Sequence, residues 1–179
     1  MQKSLERSAL SPQYAEGLRQ MDSLYAVAEY AAASRDEFPT VHIPLVVHVL
    51  YENEEYNIPD SQIHAQIEAL NRDFNWEQDD KVRIPEIWRN LGRSTNFRFF
   101  LADKDPDGNF THGITRTKTS VKDIGNTESY YRSSQGGVDP WVQPHYVNIW
   151  VCIIDDRTLG FTYLPSKNPE PSDGIVIDP

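Results

Sequence analysis

The chain has 179 residues, 39% hydrophobic and 25% charged, a balance typical of soluble globular proteins. That length gives room for one domain burying roughly 70% of the surface its unfolded form would expose. With 17 basic against 27 acidic residues the formal net charge is -10, which argues against a nucleic-acid partner, and no apolar run approaches the ~20 residues needed to span a bilayer. A single cysteine, Cys152, excludes an intramolecular disulfide and any zinc site built on two or more thiolates.

The start of the chain, Met1-Gln2-Lys3-Ser4-Leu5, lacks the apolar core of a secretion signal. Ser11 followed by Pro12 reads as an N-cap with proline at the first helical position, and Tyr14, Leu18, Met21, Tyr25 and Ala28 recur at spacings of three and four. This predicts a helix with one apolar face running to about Ala33. Residues 34–39 read as a linker, so a boundary falls near residue 39.

Residues 42–51 are dense in β-branched side chains on both faces, which predicts a buried strand. Asp60 reads as an N-cap, and Ile63, Ile67, Leu70 and Phe74 at i, i+4, i+7 and i+11 predict an amphipathic helix over 60–74 whose stripe lies on a sheet. A shorter helix is expected at 85–91. Further strands are expected at 96–102, 114–119, 146–154, 159–164 and 174–178. The fold class is therefore α/β: a twisted mixed sheet of about five to six strands with a backing helix, preceded by an N-terminal helix.

Recognisable catalytic motifs are missing. There is no G-x-G-x-x-G, no Walker-type phosphate loop and no G-x-S-x-G elbow, and Gly136-Gly137 reads as a loop turn. No two of the five histidines, His42, His48, His64, His112 and His145, have the i, i+4 spacing of a helical zinc site. His42 and His48 share strand parity but sit about 20 Å apart at a rise of roughly 3.3 Å per residue, too wide for one metal. His48 reads as a hydrogen-bonded core histidine rather than a ligand. Cys152, within Trp150-Val151-Cys152-Ile153-Ile154, reads as a buried inert thiol rather than a nucleophile.

Asp103, Asp105, Asp107 and Gly108 fit the first half of a calcium loop, but Ile114 stands where the bidentate glutamate belongs. Two readings stay open there, a polar turn between strands and a weak calcium site. Asn109-Phe110-Thr111 is a glycosylation sequon. The acidic pairs Glu54-Glu55, Asp79-Asp80 and Asp155-Asp156 read as solvated loop faces. The residues alone contain no complete active site, and no catalytic, cofactor or metal-ligating residue is assigned.

Read together, several segments resemble one family. Residues Ile43-Pro44-Leu45-Val46-Val47-His48-Val49-Leu50-Tyr51, Ile58-Pro59-Asp60-Ser61-Gln62-Ile63 and Leu70-Asn71-Arg72-Asp73-Phe74 are similar to the opening strand and backing helix of pappalysin-type metzincin proteases. Gly113-Ile114-Thr115-Arg116-Thr117, Gly136-Gly137, Asp139, Trp141, 146–152, Leu159-Gly160 and 173–178 follow in the order that family shows.

The resemblance implies a pro-segment-like region at 1–38 and an upper catalytic subdomain at 39–179. It also implies zinc as the cofactor, a protein or peptide substrate, and a secreted location. The family's zinc motif, H-E-x-x-H-x-x-G-x-x-H, would follow the strand at 174–178, so the chain is expected to stop before its zinc helix and to be inactive alone. By resemblance, Leu159, Gly160, Phe161, Thr162 and Tyr163 form the edge strand along which a peptide lies. The alternative is a non-catalytic module that binds peptides by strand addition. A sheet lacking its zinc helix should leave apolar side chains uncovered where that helix would dock, in a patch larger than roughly the few hundred Å2 usual for monomers.

Overall fold

The computed structural model describes residues 16, 19, 39–89, 91–142, 145–154, 157–163 and 170–179. The predicted N-terminal helix and linker lie outside them, apart from Glu16 and Arg19, which are helical and joined by an ion pair of 2.7 Å. The remaining elements are β1 (Val41–Tyr51), α1 (Asp60–Phe74), α2 (Glu86–Arg89), β2 (Phe97–Leu101), β3 (Ile114–Lys118), β4 (Val147–Val151), β5 (Gly160–Thr162) and β6 (Ile175–Ile177). Every strand expected from the pattern forms, in one six-stranded sheet.

β1 is the axis of that sheet. Its six consecutive residues from Leu45 to Leu50 are buried, as a run of Val and Leu broken only by His48 demands of a strand covered on both faces. One edge of β1 pairs in parallel with β2 along Val41 to Leu45 and then with β3 along Val47 to Tyr51. The other edge pairs in parallel with β4, which pairs in parallel with β6. β5 closes the order as the antiparallel outer strand beside β6.

α1 supplies the crossover from β1 to β2 and covers one face. Ile63 and Ile67 pack into a cluster with Leu45, Val47, Val49, Ile149 and Val151. The stripe does not stay buried to its end, because α1 runs off the sheet margin. Leu70 is half-buried and Phe74 is 39% exposed, its ring edge-on to Phe99 at 4.9 Å. The expected N-cap also shifts: Asp60 is the first helical residue, Pro59 occupies the cap without a side-chain bond, and the Asp60 carboxylate accepts from the Arg116 guanidinium.

Two asparagines, Asn71 on α1 and Asn75 at its C-cap, tie the helix to β2. Asn71 Nδ2 donates to the Phe99 carbonyl at 2.9 Å, and its Oδ1 accepts the Phe99 N–H at 2.8 Å, as a neighbouring strand would. Asn75, one turn later, donates to the Phe97 carbonyl at 2.8 Å. The amides thus satisfy β2 where no strand does.

The opposite face is covered by residues of the long connection that follows β3. Ile124, Tyr130 and Tyr131 from that connection pack on Leu50, Trp150, Cys152, Ile154 and Val176. Gly136-Gly137 makes the turn expected of it: Gly136 has φ +89°, and a Cβ on Gly137 would lie 1.9 Å from the Ser129 carbonyl oxygen.

Because Ile63 is buried and Phe74 is not, truncation should separate them. Ile63→Ala is expected to cost about 2–5 kcal/mol in urea unfolding, and Phe74→Ala distinctly less. Equal losses would contradict the placement of α1.

Candidate functional site

The edge strand proposed from the sequence forms, shorter than expected. β5 pairs Gly160, Phe161 and Thr162 with Ile177, Val176 and Ile175, and among the described residues no strand lies on its outer side. Leu159, just before it, is 84% exposed, and its carbonyl accepts the Asp178 N–H at 3.0 Å. Phe161 points to the core side, its ring 6.0 Å from Tyr130 and 5.9 Å from Tyr163. Thr162 Oγ1 donates to the Gly174 carbonyl at 2.9 Å. A Cβ on Gly160 would approach the Val176 carbonyl oxygen to 2.7 Å, so β5 lies close against β6 only with glycine there.

The register puts Ile175 and Ile177 beside Ile149 and Val151, on the same face as α1. They remain 37% and 38% exposed, although they prolong the apolar surface that α1 covers over β1 and β2. These two uncovered apolar side chains lie next to the edge strand.

The residues weighed for other chemistry are engaged elsewhere. His48 is fully buried, with Nδ1 2.7 Å from Thr115 Oγ1 and Nε2 3.1 Å from Asn148 Oδ1. Asn148 Oδ1 also accepts the Trp141 N–H, and its Nδ2 donates to the Trp141 carbonyl. That fixes Oδ1 as the acceptor, so His48 is the Nε2–H tautomer and accepts from Thr115 at Nδ1. Burial lowers its pKa from 6.5 to about 4, opposed by the Asn148 bond. His48 is the hydrogen-bonded core histidine the sequence suggested. The Asn148 partnership was not foreseen.

Cys152 is likewise the buried thiol expected. Burial, reinforced by the negative charge of Asp178, pushes its pKa up to about 12. Asp105 is the centre of a hairpin loop closed by a Lys104–Phe110 bridge: its Oδ1 accepts the N–H groups of Asp107 and Asn109, and Oδ2 accepts Asn109 Nδ2. Those bonds, led by the Asn109 N–H, hold its carboxyl below the usual range. Of the two open readings, the geometry supports the polar turn. Glu54-Glu55 and Asp79-Asp80 lie on exposed turns, while Asp155 and Asp156 are outside the described residues.

Among the described residues no three His, Cys, Asp or Glu side chains gather where they could hold a metal ion. The donor set present does not fit a zinc site. Nor is any described helix long and apolar enough to cross a membrane.

No protein-family model and no curated protein matches the chain. Solved structures do. Mature mirolysin of Tannerella forsythia, in complex with a cleaved peptide, superposes with a TM-score of 0.73 at 40% identity, covering 79% of this chain and 54% of that one. Mirolysin in complex with a compound gives 0.70 at 39% identity over 79% and 53% of the two chains. A point mutant of T. forsythia promirolysin gives 0.75 at 37% identity, covering 91% of this chain and 54% of that one. The chain thus has a metalloprotease fold and spans about half the length of these neighbours.

The buried thiol yields a direct check. At pH 8 the thiolate fraction of Cys152 should be about a thousandfold below that of an ordinary cysteine, so a disulfide reagent should modify the native protein only after unfolding. Rapid modification of the folded chain would contradict this packing.

Proposed function

We propose that this chain is the sheet-bearing half of a pappalysin-type zinc metalloendopeptidase. Residues 39–179 form the upper wall of its cleft and residues 1–38 a pro-segment. The observation that carries this reading is the 40% identity to half of a protease found with a cleaved peptide. The share of this chain that is matched rises from 79% with mature mirolysin to 91% with promirolysin, which supports a pro-segment at the N-terminal end.

In this reading an extended peptide lies antiparallel along β5, bonded through its main chain to the outer strand. Leu159 to Tyr163 position it there. The half-exposed face of Ile175 and Ile177 receives a helix that carries the metal ligands, supplied by sequence outside the 179 residues. Zinc, when bound, would polarise the scissile carbonyl and lower the pKa of a bound water. Among the described residues none gather to hold the metal, and in this reading the chain's own residues orient the substrate. An extracellular setting belongs to the same proposal and rests on resemblance.

The gene and the purified proteins test this reading. The frame after Pro179 should encode H-E-x-x-H within a few tens of residues. The longer polypeptide should hold stoichiometric zinc and cleave peptides in a chelator-sensitive way, whereas the 179-residue chain does neither. Chelator-sensitive cleavage by the 179-residue chain would overturn the proposal. A stop codon at that point, with peptide binding that depends on β5, would favour the non-catalytic module instead.

A further inference from the structure

We propose that His48, Asn148 and Trp141 form an acid-sensitive latch that holds the 138–142 stretch of the long connection on the sheet. The latch stands whether or not the protease reading does.

The geometry is a chain of buried polar contacts with one point of failure. Asn148 uses both ends of its side-chain amide on the Trp141 backbone, at 2.8 and 3.1 Å, closing a ring that a regular strand partner would otherwise provide. The orientation of that amide is held from the opposite side by His48 Nε2–H. Trp141 also lies edge-on to the His48 ring at 6.2 Å, and Trp150 lies against it at 5.5 Å while its indole N–H donates to the Val138 carbonyl at 3.1 Å. The same stretch is thus tied to the sheet at Val138 through Trp150 and at Trp141 through Asn148, and both Trp150 and Asn148 contact His48.

A proton from solvent would bind Nδ1, the one ring nitrogen without hydrogen. Thr115 Oγ1 would then face an N–H and have to turn its own hydrogen away. The new imidazolium would sit among Trp141, Trp150, Thr115 and Asn148, none of which carries a compensating charge. A buried unpaired charge is among the costliest arrangements in a protein interior. Lifting 138–142 admits water to His48 and relieves it, and Asn148 loses the Trp141 backbone in the same event.

An exposed His48 takes up its proton near pH 6.5 and the latched one near pH 4. Above pH 6.5 both forms are neutral and the latch is at full strength. As pH falls below 6.5 the proton favours the open form, and the bias grows until about pH 4, then levels off. Between pH 7 and pH 4 the open population should rise about a hundredfold from this group. Other ionisable groups on the connection lie nearby: Tyr146 is edge-on to Trp141 at 5.1 Å and Tyr130 edge-on to Trp150 at 5.2 Å. Asp139 accepts the Ser133 N–H and hydroxyl, which keep its carboxyl below the ordinary range, and His145 is exposed.

Amide hydrogen exchange, corrected for intrinsic pH dependence, reads the latch directly. In the wild-type chain, protection at Val138 and Trp141 should fall about a hundredfold from pH 7 to pH 4 while Val47 and Ile149 in the sheet keep theirs. His48→Gln, which keeps a donor and an acceptor but does not titrate, should flatten that dependence, whereas His145→Gln should leave it unchanged. Loss of protection that is uniform across connection and sheet, or a dependence abolished by His145→Gln, would overturn the proposal. If His48→Gln fails to fold, the wild-type contrast between connection and sheet, together with the side-chain titration of His48 by NMR, decides alone.

Discussion

The structure depends on the burial of β1. Six successive residues from Leu45 to Leu50 are withdrawn from water, which requires hydrogen-bonded neighbours on both edges and an apolar cover on both faces. β2 and β3 share one edge and β4 takes the other. The residues of odd number are covered by Ile63 and Ile67 of α1, and Leu50 of the even set meets the aromatic side chains of the long connection. His48 is the exception within this run: a polar ring in an apolar strand must bring its own partners. Thr115 and Asn148 serve, from β3 and β4.

Cover is uneven across the sheet. α1 protects the part of its face built by β1, β2 and the neighbouring β4, while the aromatic layer protects the other face as far as Val176 and Phe161. The side of β6 that carries Ile175 and Ile177 is left half-exposed, beside β5, whose outer edge faces no described strand. An apolar face and an open strand edge side by side suit a cleft wall: the first takes a packed helix, the second an extended chain. The proposed division of labour follows, with this chain orienting a peptide and other sequence supplying the metal.

The elements were legible where one local pattern decided them. The spacing of Ile63, Ile67 and Leu70 places α1, and β-branched density places β1, because each property is written within a few residues. What the sequence hid depends on partners far along the chain. Asp60 looks like a cap until Arg116, 56 positions later, takes its carboxylate. The role of His48 turns on Asn148, a hundred positions away. Asn71 and Asn75 carried a signal that could have been read, two amides one turn apart beside an apolar stripe, yet their target on β2 is a tertiary fact. Phe74 continues the helical period, but the margin of the sheet, which no local pattern marks, decides its exposure. Of the candidate site, the edge strand came from a resemblance and not from its residues, since a short strand looks alike at an edge or inside a sheet.

In the proposed protease, the face of Ile175 and Ile177 is half of an interface with the helix that carries the metal ligands. Hydroxyl-radical footprinting of these two side chains, in the 179-residue chain and in a polypeptide extended past Pro179 by the following reading frame, reads that interface. Labelling should be strong in the short chain and suppressed in the long one, with Val82 and Ile87, exposed and distant in sequence, serving as references. Equal labelling of Ile175 and Ile177 in both would contradict it.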